Sequence, residues 1–404
     1  MKTDWDVIVA GAGPAGAMAA MRLAAAGVDV LLLDKARFPR DKPCGGGLTP
    51  KAFRQLDFDI GDLVRQRSHR LYLKGPHLAP IPITVPNDAA VWMVNRQEFD
   101  ARLVQVARER GAIIRDGEGV TKIEPGDPSV PFASGQALAR VETDRGAYRA
   151  RVVIGADGAE SIVARQVGLR ADRHRRYTAF ALEAEARVAR DVLGGAALVD
   201  YRMPRGYGWI FPKGEVYNIG VGSGDPRAIR ALRAHLDKFI AERNLPIVGP
   251  VRVMGHRIPV WSHDEPLHRA NVLLAGDAAG LTDALWGEGI SYAMMSGQIA
   301  ALSAWDYLAH SIENLDAYTA RVHNLLTRDL RRLYRLAYLV YGLPGLAFPL
   351  FAHSPWMQKM AAEIVSGDRS PSSIWRCTCA LKLGGMKHGS RCDAVLANLA
   401  PGCR

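Results

Sequence analysis

The sequence is poor in cysteine, in long apolar runs and in compositional bias, and each shortage closes off a class of protein. Five cysteines stand among 404 residues. Cys44 is isolated, whereas Cys377, Cys379, Cys392 and Cys403 crowd the last segment. That is no secreted disulfide framework, and it lacks the paired CxxC spacing of zinc knuckles, so no metal site is expected. The longest apolar stretch, Leu336 to Ala352, is interrupted by Gly342, Pro344, Gly345 and Pro349. It falls short of the roughly 20 residues that a helix needs to cross a bilayer. No low-complexity tract occurs. A strand is expected from Asp6, which leaves no space for a signal peptide ahead of it. A cytoplasmic location is the resulting expectation. Lys and Arg exceed Asp and Glu by 52 − 41 = 11, which favours anionic partners such as phosphorylated substrates or acidic lipids. No basic–aromatic module accompanies that charge, so nucleic acid is not expected among the partners. The length suffices for a large core in one or two domains.

What is present begins at the amino end. Asp6 to Ala10 reads as a short buried strand, and Gly11-Ala12-Gly13-Pro14-Ala15-Gly16 follows at once. Ala17 to Ala26 is small, apolar and helical in propensity, and Gly27 ends it as a C-terminal glycine should. Val28 to Leu33 reads as a second buried strand with Asp34 at its carboxyl end. In this setting Gly11 makes the tight turn, Gly13 lets a pyrophosphate approach the backbone, and Gly16 allows close helix–strand packing. The helix amino end offers free N–H groups and a favourable dipole to the phosphates. Asp34 is placed to accept from a ribose hydroxyl. A glycine triplet alone is weak evidence; strand, helix, strand and terminal acid together predict a dinucleotide site.

Further along, Lys42-Pro43-Cys44-Gly45-Gly46-Gly47 is either a flexible loop or a ligand-facing one. The lone cysteine beside glycines favours the second, since three glycines permit close approach. Leu71 to Trp92 suits strands of a second sheet. Asn95 caps a helix from Arg96 to Arg110 whose apolar positions Phe99, Leu103, Val106 and Ala107 recur at helical spacing. Arg96 lies off that stripe, either solvated or reaching a phosphate. A Pro/Gly/Ser loop is expected around Asp127 to Gly135. Arg151 to Gly158 reads as a strand ending in Asp157-Gly158, and acid plus glycine at a strand end fit a ligand crevice. Arg165, Arg170, Arg173, Arg175 and Arg176 read as a solvated basic loop. In Pro204 to Gly214 the alternating Tyr207, Trp209 and Phe211 project from one face of a strand, as core or as a pocket wall. Asn271 to Ala275 is a last buried strand, ending in Gly276-Asp277. Trp286-Gly287-Glu288-Gly289-Ile290 then opens a long helix through Leu308. That junction offers backbone N–H groups and a helix amino end to an electron-accepting ring. Arg328, Arg331, Arg332 and Arg335 share one helix face before the apolar Leu336–Ala352 stretch. The pair suits packing with an exposed basic face, or an anionic membrane surface. No organisation is evident after Ser373.

The glycine fingerprint, Asp157-Gly158 and Gly276-Asp277 together resemble the FAD-binding fold of para-hydroxybenzoate-hydroxylase-like flavoproteins. Lys42–Gly47 and Pro204–Lys213, read as PxxYxWxFPK, are similar to motifs of the geranylgeranyl reductase family, whose members reduce isolated double bonds in isoprenoid chains. The likeness spans roughly residues 4 to 345. It departs at Ala284, where a proline is usual, and in the cysteine-rich tail, which has no counterpart. The resemblance implies an α/β protein in which a Rossmann-like FAD-binding domain (1–70, 95–165 and 268–310) interleaves with a mixed β-sheet substrate domain (71–94 and 166–267). A C-terminal helical region (311–373) and an unassigned tail (374–404) follow. It also implies FAD contacts at Gly11, Gly13, Ala15, Gly16, Asp34, Lys35, Cys44, Gly45 and Asp157. Arg96 would touch the pyrophosphate, Gly276 and Asp277 the ribityl chain, and Gly287, Gly289 and Ile290 the pyrimidine edge. Gly46, Gly47, Tyr207, Trp209 and Phe211 would line the prenyl channel. Cys44, Tyr207 and Trp209 are the expected catalytic group, with Cys44 or a water it holds the candidate for tuning proton delivery.

One dinucleotide fingerprint implies that NADPH binds transiently or that a reduced electron carrier serves instead. The expected substrate is an isoprenoid chain on a diphosphate, lipid, chlorophyll precursor or quinone. A peripheral position on the inner face of the membrane is a further expectation, and the oligomeric state is not legible. Two rival readings remain: a flavin monooxygenase or halogenase on the same scaffold, and an electron-transfer flavoprotein without its own prenyl substrate.

Overall fold

The Asp4–Ala10 strand is the axis of the structure. Its apolar residues Val7, Ile8, Val9 and Ala10 are almost completely buried, as befits a strand covered on both faces. The computed structural model describes residues 2–86, 89–127, 138–169 and 178–371. The expected loop from residue 128 onward, Arg170, Arg173, Arg175, Arg176 and the four tail cysteines lie outside them. Asp4–Ala10 pairs in parallel with Val30–Asp34 on one side and with Ala147–Gly155 on the other. Ile113–Asp116 extends the sheet beyond the first neighbour, and Val272–Leu274 beyond the second, both again parallel. The chain therefore leaves the central strand first to one side and later to the other. The crevice at a sheet's carboxyl edge where the strand order reverses is the place where α/β folds bind ligands. Here it opens at Ala10 and Gly11.

Pro14–Ala25 forms the first helix, with Pro14 at its start, where the missing N–H costs nothing. Gly27 ends it at φ +79°. Asn95 caps the Arg96–Glu109 helix by accepting from Gln97 N, and Phe99, Leu103, Val106 and Ala107 are buried as their spacing requires. Ile290–Leu308 crosses the first helix closely: a Cβ on Gly297 would lie 2.2 Å from Ala15 O.

A seven-stranded mixed sheet forms the second layer. Its order is Ile247–Pro259, Thr178–Val188, Val216–Ser223, Gly206–Lys213, Ala197–Asp200, Arg70–Lys74 and Ile81–Thr84. One face buries Ala184, Ile210, Tyr217, Ile219 and Val221 under Leu232, Leu236 and Phe239 of the Leu232–Ala241 helix. The other face turns toward the parallel sheet and the C-terminal helices. Trp92 does not join this sheet as the Leu71–Trp92 reading expects. Val91–Val94 pairs with Gly47–Leu48 and Val64–Ser68 in a small third sheet, because Val94 N bonds Gly46 O and draws the strand to the glycine run. The helical run Ala317–Gly342, whose last part is Arg328–Gly342, forms an elbow with Pro344–Ala352 bent by 106°. Among the described residues no single helix is long and apolar enough to cross a membrane.

Candidate active site

The glycine turn is held by backbone geometry before any ligand enters. Gly11 has φ +99°, and a Cβ there would lie 2.4 Å from Ala156 O, so the turn packs against the Ala147–Gly155 strand end. Asp34 secures the turn from the next strand: Oδ2 accepts from Ala12 N and Oδ1 from Ala36 N, each at 2.8 Å. Lys35 beside it is exposed. Gly13 differs from Gly11 in having open space. The nearest atom to a Cβ there is Arg40 Nη2 at 3.6 Å.

Arg40 belongs to a buried charged cluster facing that space. Asp100 is fully buried and receives Arg96 Nε at 2.8 Å, Arg96 Nη2 at 2.7 Å and Arg40 Nη2 at 3.0 Å. Arg96 is buried, not solvated, and desolvation is outweighed by Asp100 and the adjacent Cys44, which hold its pKa up. Lys42 joins from the next loop, contacts His256 and feels both Asp277 and Arg96. Burial, aided by Arg96 and Arg40 against Asp277 and Cys44, brings Lys42 down to about 8. Arg40 Nη1 is buried without a hydrogen-bond partner. Three cations thus surround two carboxylates, with an orphaned donor beside the glycine turn. That is the donor set an anion such as a pyrophosphate completes.

Opposite lies the Gly276–Ala279 turn. Gly276 N donates to Ser296 Oγ at 2.9 Å, and Asp277 Oδ1 accepts from Thr282 Oγ1 at 3.3 Å. The next loop is built on two buried acids. Asp283 accepts from Leu285 N, Trp286 N and Glu288 N at 2.7–2.9 Å. Burial, reinforced by the Glu288 charge, pushes its pKa up to about 6. Glu288 receives Lys51 Nζ at 2.7 Å, Ser291 Oγ at 2.8 Å and the Thr49 hydroxyl. Burial alone would raise its pKa, but Lys51 and the two hydroxyls outweigh burial and hold it low. Fastened this way, Gly287 and Gly289 present backbone to the crevice and Ile290 starts the helix.

The two motifs singled out in the sequence touch. A Cβ on Gly45 would lie 2.7 Å from Phe211 Cδ2 and 3.3 Å from Trp209 Nε1, so only glycine lets the loop lie flat on the aromatic stripe. Gly46 N donates to Cys44 Sγ at 3.4 Å, and a Cβ on Gly47 would lie 3.5 Å from Phe211 Cε2. Tyr207 OH donates to Trp286 O at 2.5 Å and would meet a Gly287 Cβ at 2.4 Å. The stripe therefore bridges the Cys44 loop and the Gly287 loop.

A scan against family models matches the FAD binding domain family (FAD_binding_3) over residues 4–206. The menaquinone reductase of Mycolicibacterium smegmatis is 34% identical over 324 residues, covering 74% of this chain and 76% of that one. The geranylgeranyl diphosphate reductase of Rhodobacter capsulatus is 34% identical over 312 residues, covering 75% and 76%. Among solved structures, a geranylgeranyl bacteriochlorophyll reductase-like protein from Thermoplasma acidophilum aligns over 99% of this chain and 100% of that one, with TM-score 0.75 and 22% identity. The chain belongs to the geranylgeranyl reductase family of FAD-dependent oxidoreductases.

The residues of this family member fit FAD: an open glycine turn lies beside an orphaned guanidinium donor, and Lys42 sits between that cluster and the Asp277 turn. The structure brings Gly13 to Arg40, Cys44 to Arg96, and Gly289 to Asp277. Asp157 is occupied locally. Its carboxylate accepts from Ser161 Oγ, Ile162 N and Val163 N, capping the short helix that follows. Ala15 is buried at the helix crossing, with Gly297 beneath it. Sequence reasoning passed over Arg40, Lys42, Lys51, Asp283 and Glu288 as individual residues. The adjoining motifs were their only sequence signal, since Arg40, Lys42 and Lys51 find their partners 60 to 237 residues away. Glu183 escaped notice as well. It is 4% exposed on the Thr178–Val188 strand, and burial holds its carboxyl above the ordinary range.

Proposed function

We propose that this family member saturates isolated double bonds of an isoprenoid chain carried on a diphosphate, lipid, chlorophyll precursor or quinone. NADPH or a reduced electron carrier would be the donor. The observation that carries the reading is the apolar face continuing from the Tyr207–Phe211 stripe. Leu71, Leu73, Ile81, Ile83, Val199 and Tyr201 extend it across the second sheet, and Leu333, Ala337 and Phe348 cover it. A cleft of about 610 Å³ opens at its margin, lined by Leu78, Tyr201, Met203 and Tyr341 together with the polar Lys74, His77 and Arg202. The Tyr201 ring lies 5.8 Å from that of Tyr207, so the aromatic wall runs unbroken from cleft to crevice. An extended hydrocarbon suits the apolar face, with an anionic head group at the Lys74 and Arg202 rim of the cleft.

FAD, when bound, supplies hydride chemistry. Arg40, Lys42 and Arg96 would hold its phosphates, and the Gly287–Ile290 backbone its ring edge. Tyr207 and Trp209 would wall the chain and keep water out, with Cys44 shaping its approach. The FAD-binding segments (1–70, 95–165, 268–310), the substrate sheet (71–94, 166–267) and the helical region (311–373) are proposed as the functional units. The elbow adds a surface for the lipid phase. Tyr338, Leu339, Leu343, Leu346 and Leu350 are 48–73% exposed. Arg328 and Arg335 are exposed beside them. Apolar residues flanked by cations suit peripheral contact with an anionic membrane.

The test is anaerobic incubation of the dithionite-reduced holoenzyme with geranylgeranyl diphosphate, a geranylgeranylated glycerolipid and a menaquinone, read by mass. A gain of two hydrogens per bond supports the reading. Product that forms only with oxygen indicates a monooxygenase or halogenase, and electron transfer with no prenyl product an electron-transfer flavoprotein.

A further inference from the structure

We propose that Glu183 delivers the proton that accompanies hydride transfer to the alkene; the inference rests on the reductase reading above. Glu183 and Trp209 are both register partners of Gly220, one on each side of it, and so project from the same face of the second sheet. The glycine between them is required. A Cβ on Gly220 would lie 2.0 Å from Trp209 Cζ2, because the indole lies across the Val216–Ser223 strand toward the Glu183 column. Trp209 Nε1 is anchored there by Asn218 Oδ1 at 2.7 Å. On its other side Glu183 lies beside the Cys44 loop, whose backbone N–H is directed toward the carboxyl, and near the Asn218 amide, whose Nδ2 is buried without a hydrogen-bond partner. A buried carboxyl thus stands between the loop that lies against the cofactor crevice and the indole that walls the substrate face.

Its surroundings hold its carboxyl above the ordinary glutamate range. Burial is the largest influence and favours the neutral acid; the two donors and the Lys213 ammonium act against it, and Glu185 on the same strand acts with it. Lys213 is partly engaged by Glu185 at 3.6 Å, which weakens its pull. The remaining titratable neighbours are Cys44 on the loop and, two residue pairs along the neighbouring strand, His256 with its partner Lys42. His256 is held neutral by burial and the Lys42 charge, so it does not compete as the acid, and Lys42 sits against His256 and the Asp277 charge.

The step balances. Hydride reaches one alkene carbon from the two-electron-reduced cofactor, and the Glu183 proton reaches the other as the π bond breaks. Two C–H bonds form, the cofactor is left oxidised and Glu183 ionised. Solvent reprotonates the carboxylate, and a reduced nicotinamide nucleotide or protein electron carrier restores the cofactor. General acids contribute about 10²–10⁴-fold.

The experiment compares parent holoenzyme with Glu183→Gln, which keeps the shape and an acceptor for the Cys44 N–H, and with Glu183→Asp, which keeps an acid. Expected for Glu183→Gln are parental FAD affinity and dithionite reduction, a kcat for prenyl reduction at least about 100-fold lower, and an unchanged KM. Glu183→Asp should recover part of the rate. An independent readout is the infrared spectrum at neutral pH: the parent-minus-Glu183→Gln difference should contain a protonated-carboxyl C=O band. Glu183→Gln turnover within threefold of the parent, or a difference spectrum showing carboxylate bands instead, overturns the assignment. If the parent reduces no prenyl alkene, the reductase reading itself fails and the proposal with it. Loss of rate in Cys44→Ala but not in Glu183→Gln transfers the role to Cys44.

Discussion

Removing the Glu288 charge tests whether the loop that faces the cofactor is fastened from behind. Lys51 Nζ lies 2.7 Å from Glu288 Oε2, with the side chains 21% and 11% exposed, and stacks 5.3 Å from the Tyr292 ring centroid. Breaking a buried pair by removing one partner costs about 3–5 kcal/mol, because the survivor is left as an unpaired charge. Here the Lys51 end retains some water, so about 2–4 kcal/mol is expected for Glu288→Gln. Lys51→Met should cost less, because Thr49 and Ser291 still donate to the carboxylate. The double variant should cost clearly less than the sum, with a coupling of at least about 1 kcal/mol. Urea denaturation of the apo protein, analysed for all four proteins, measures the cycle. The pH dependence has a defined sign. The folded pKa of Glu288 lies below its ordinary value, so its contribution is present above the ordinary glutamate range and lost as pH falls through the folded value. FAD affinity should fall in Glu288→Gln as well, since Gly287 and Gly289 lose their anchor. A Glu288→Gln protein within 0.5 kcal/mol of the parent, or strictly additive costs, would refute the reasoning.

The Lys42 pKa, brought down to about 8 mainly by burial, makes cofactor binding pH-dependent. A bound phosphate favours the ammonium, so FAD affinity should fall as pH rises past 8 and binding there should take up a proton. Calorimetry in buffers of different ionisation enthalpy measures this, and Lys42→Met should abolish it; a flat profile contradicts the Lys42 placement. Cys44→Ala should leave FAD binding intact, since the loop lies on the aromatic stripe through Gly45, yet alter the rate or position of alkene reduction. Parental products and rates in both Cys44→Ala and Cys44→Ser would make Cys44 a bystander. Replacing Leu343, Leu346 and Leu350 together by Glu should end sedimentation with anionic vesicles while leaving FAD binding unchanged. Parental binding should weaken as salt rises, since exposed charges are screened over about 8–10 Å at physiological ionic strength.

Much of the fold was legible because it rests on local pattern. Strand, glycine turn, helix, Gly27 and second strand follow from contiguous residues, and the structure reproduces them as Asp4–Ala10, Pro14–Ala25 and Val30–Asp34. The Asn95 cap and its apolar spacing were equally local. Periodicity two placed Tyr207, Trp209 and Phe211 on one face, but whether that face was core or pocket depended on what crossed it. Only the tertiary structure laid Gly45 on Phe211 and the Gly287 loop on Tyr207. Arg96 illustrates the same division. Its position off the apolar stripe suggested solvent or phosphate, and Asp100, one turn along, decided for a buried pair that Arg40 completes. Asp157 went the other way, since the helix amino end beside it drew its carboxylate into a cap. Backbone conformation is dictated by neighbours in the chain, so glycines, caps and strand patterns can be read in order. The charge state and company of Glu183, Lys42 and Glu288 depend on desolvation and on partners as far as 237 residues away, which exist only once the sheets have closed over them.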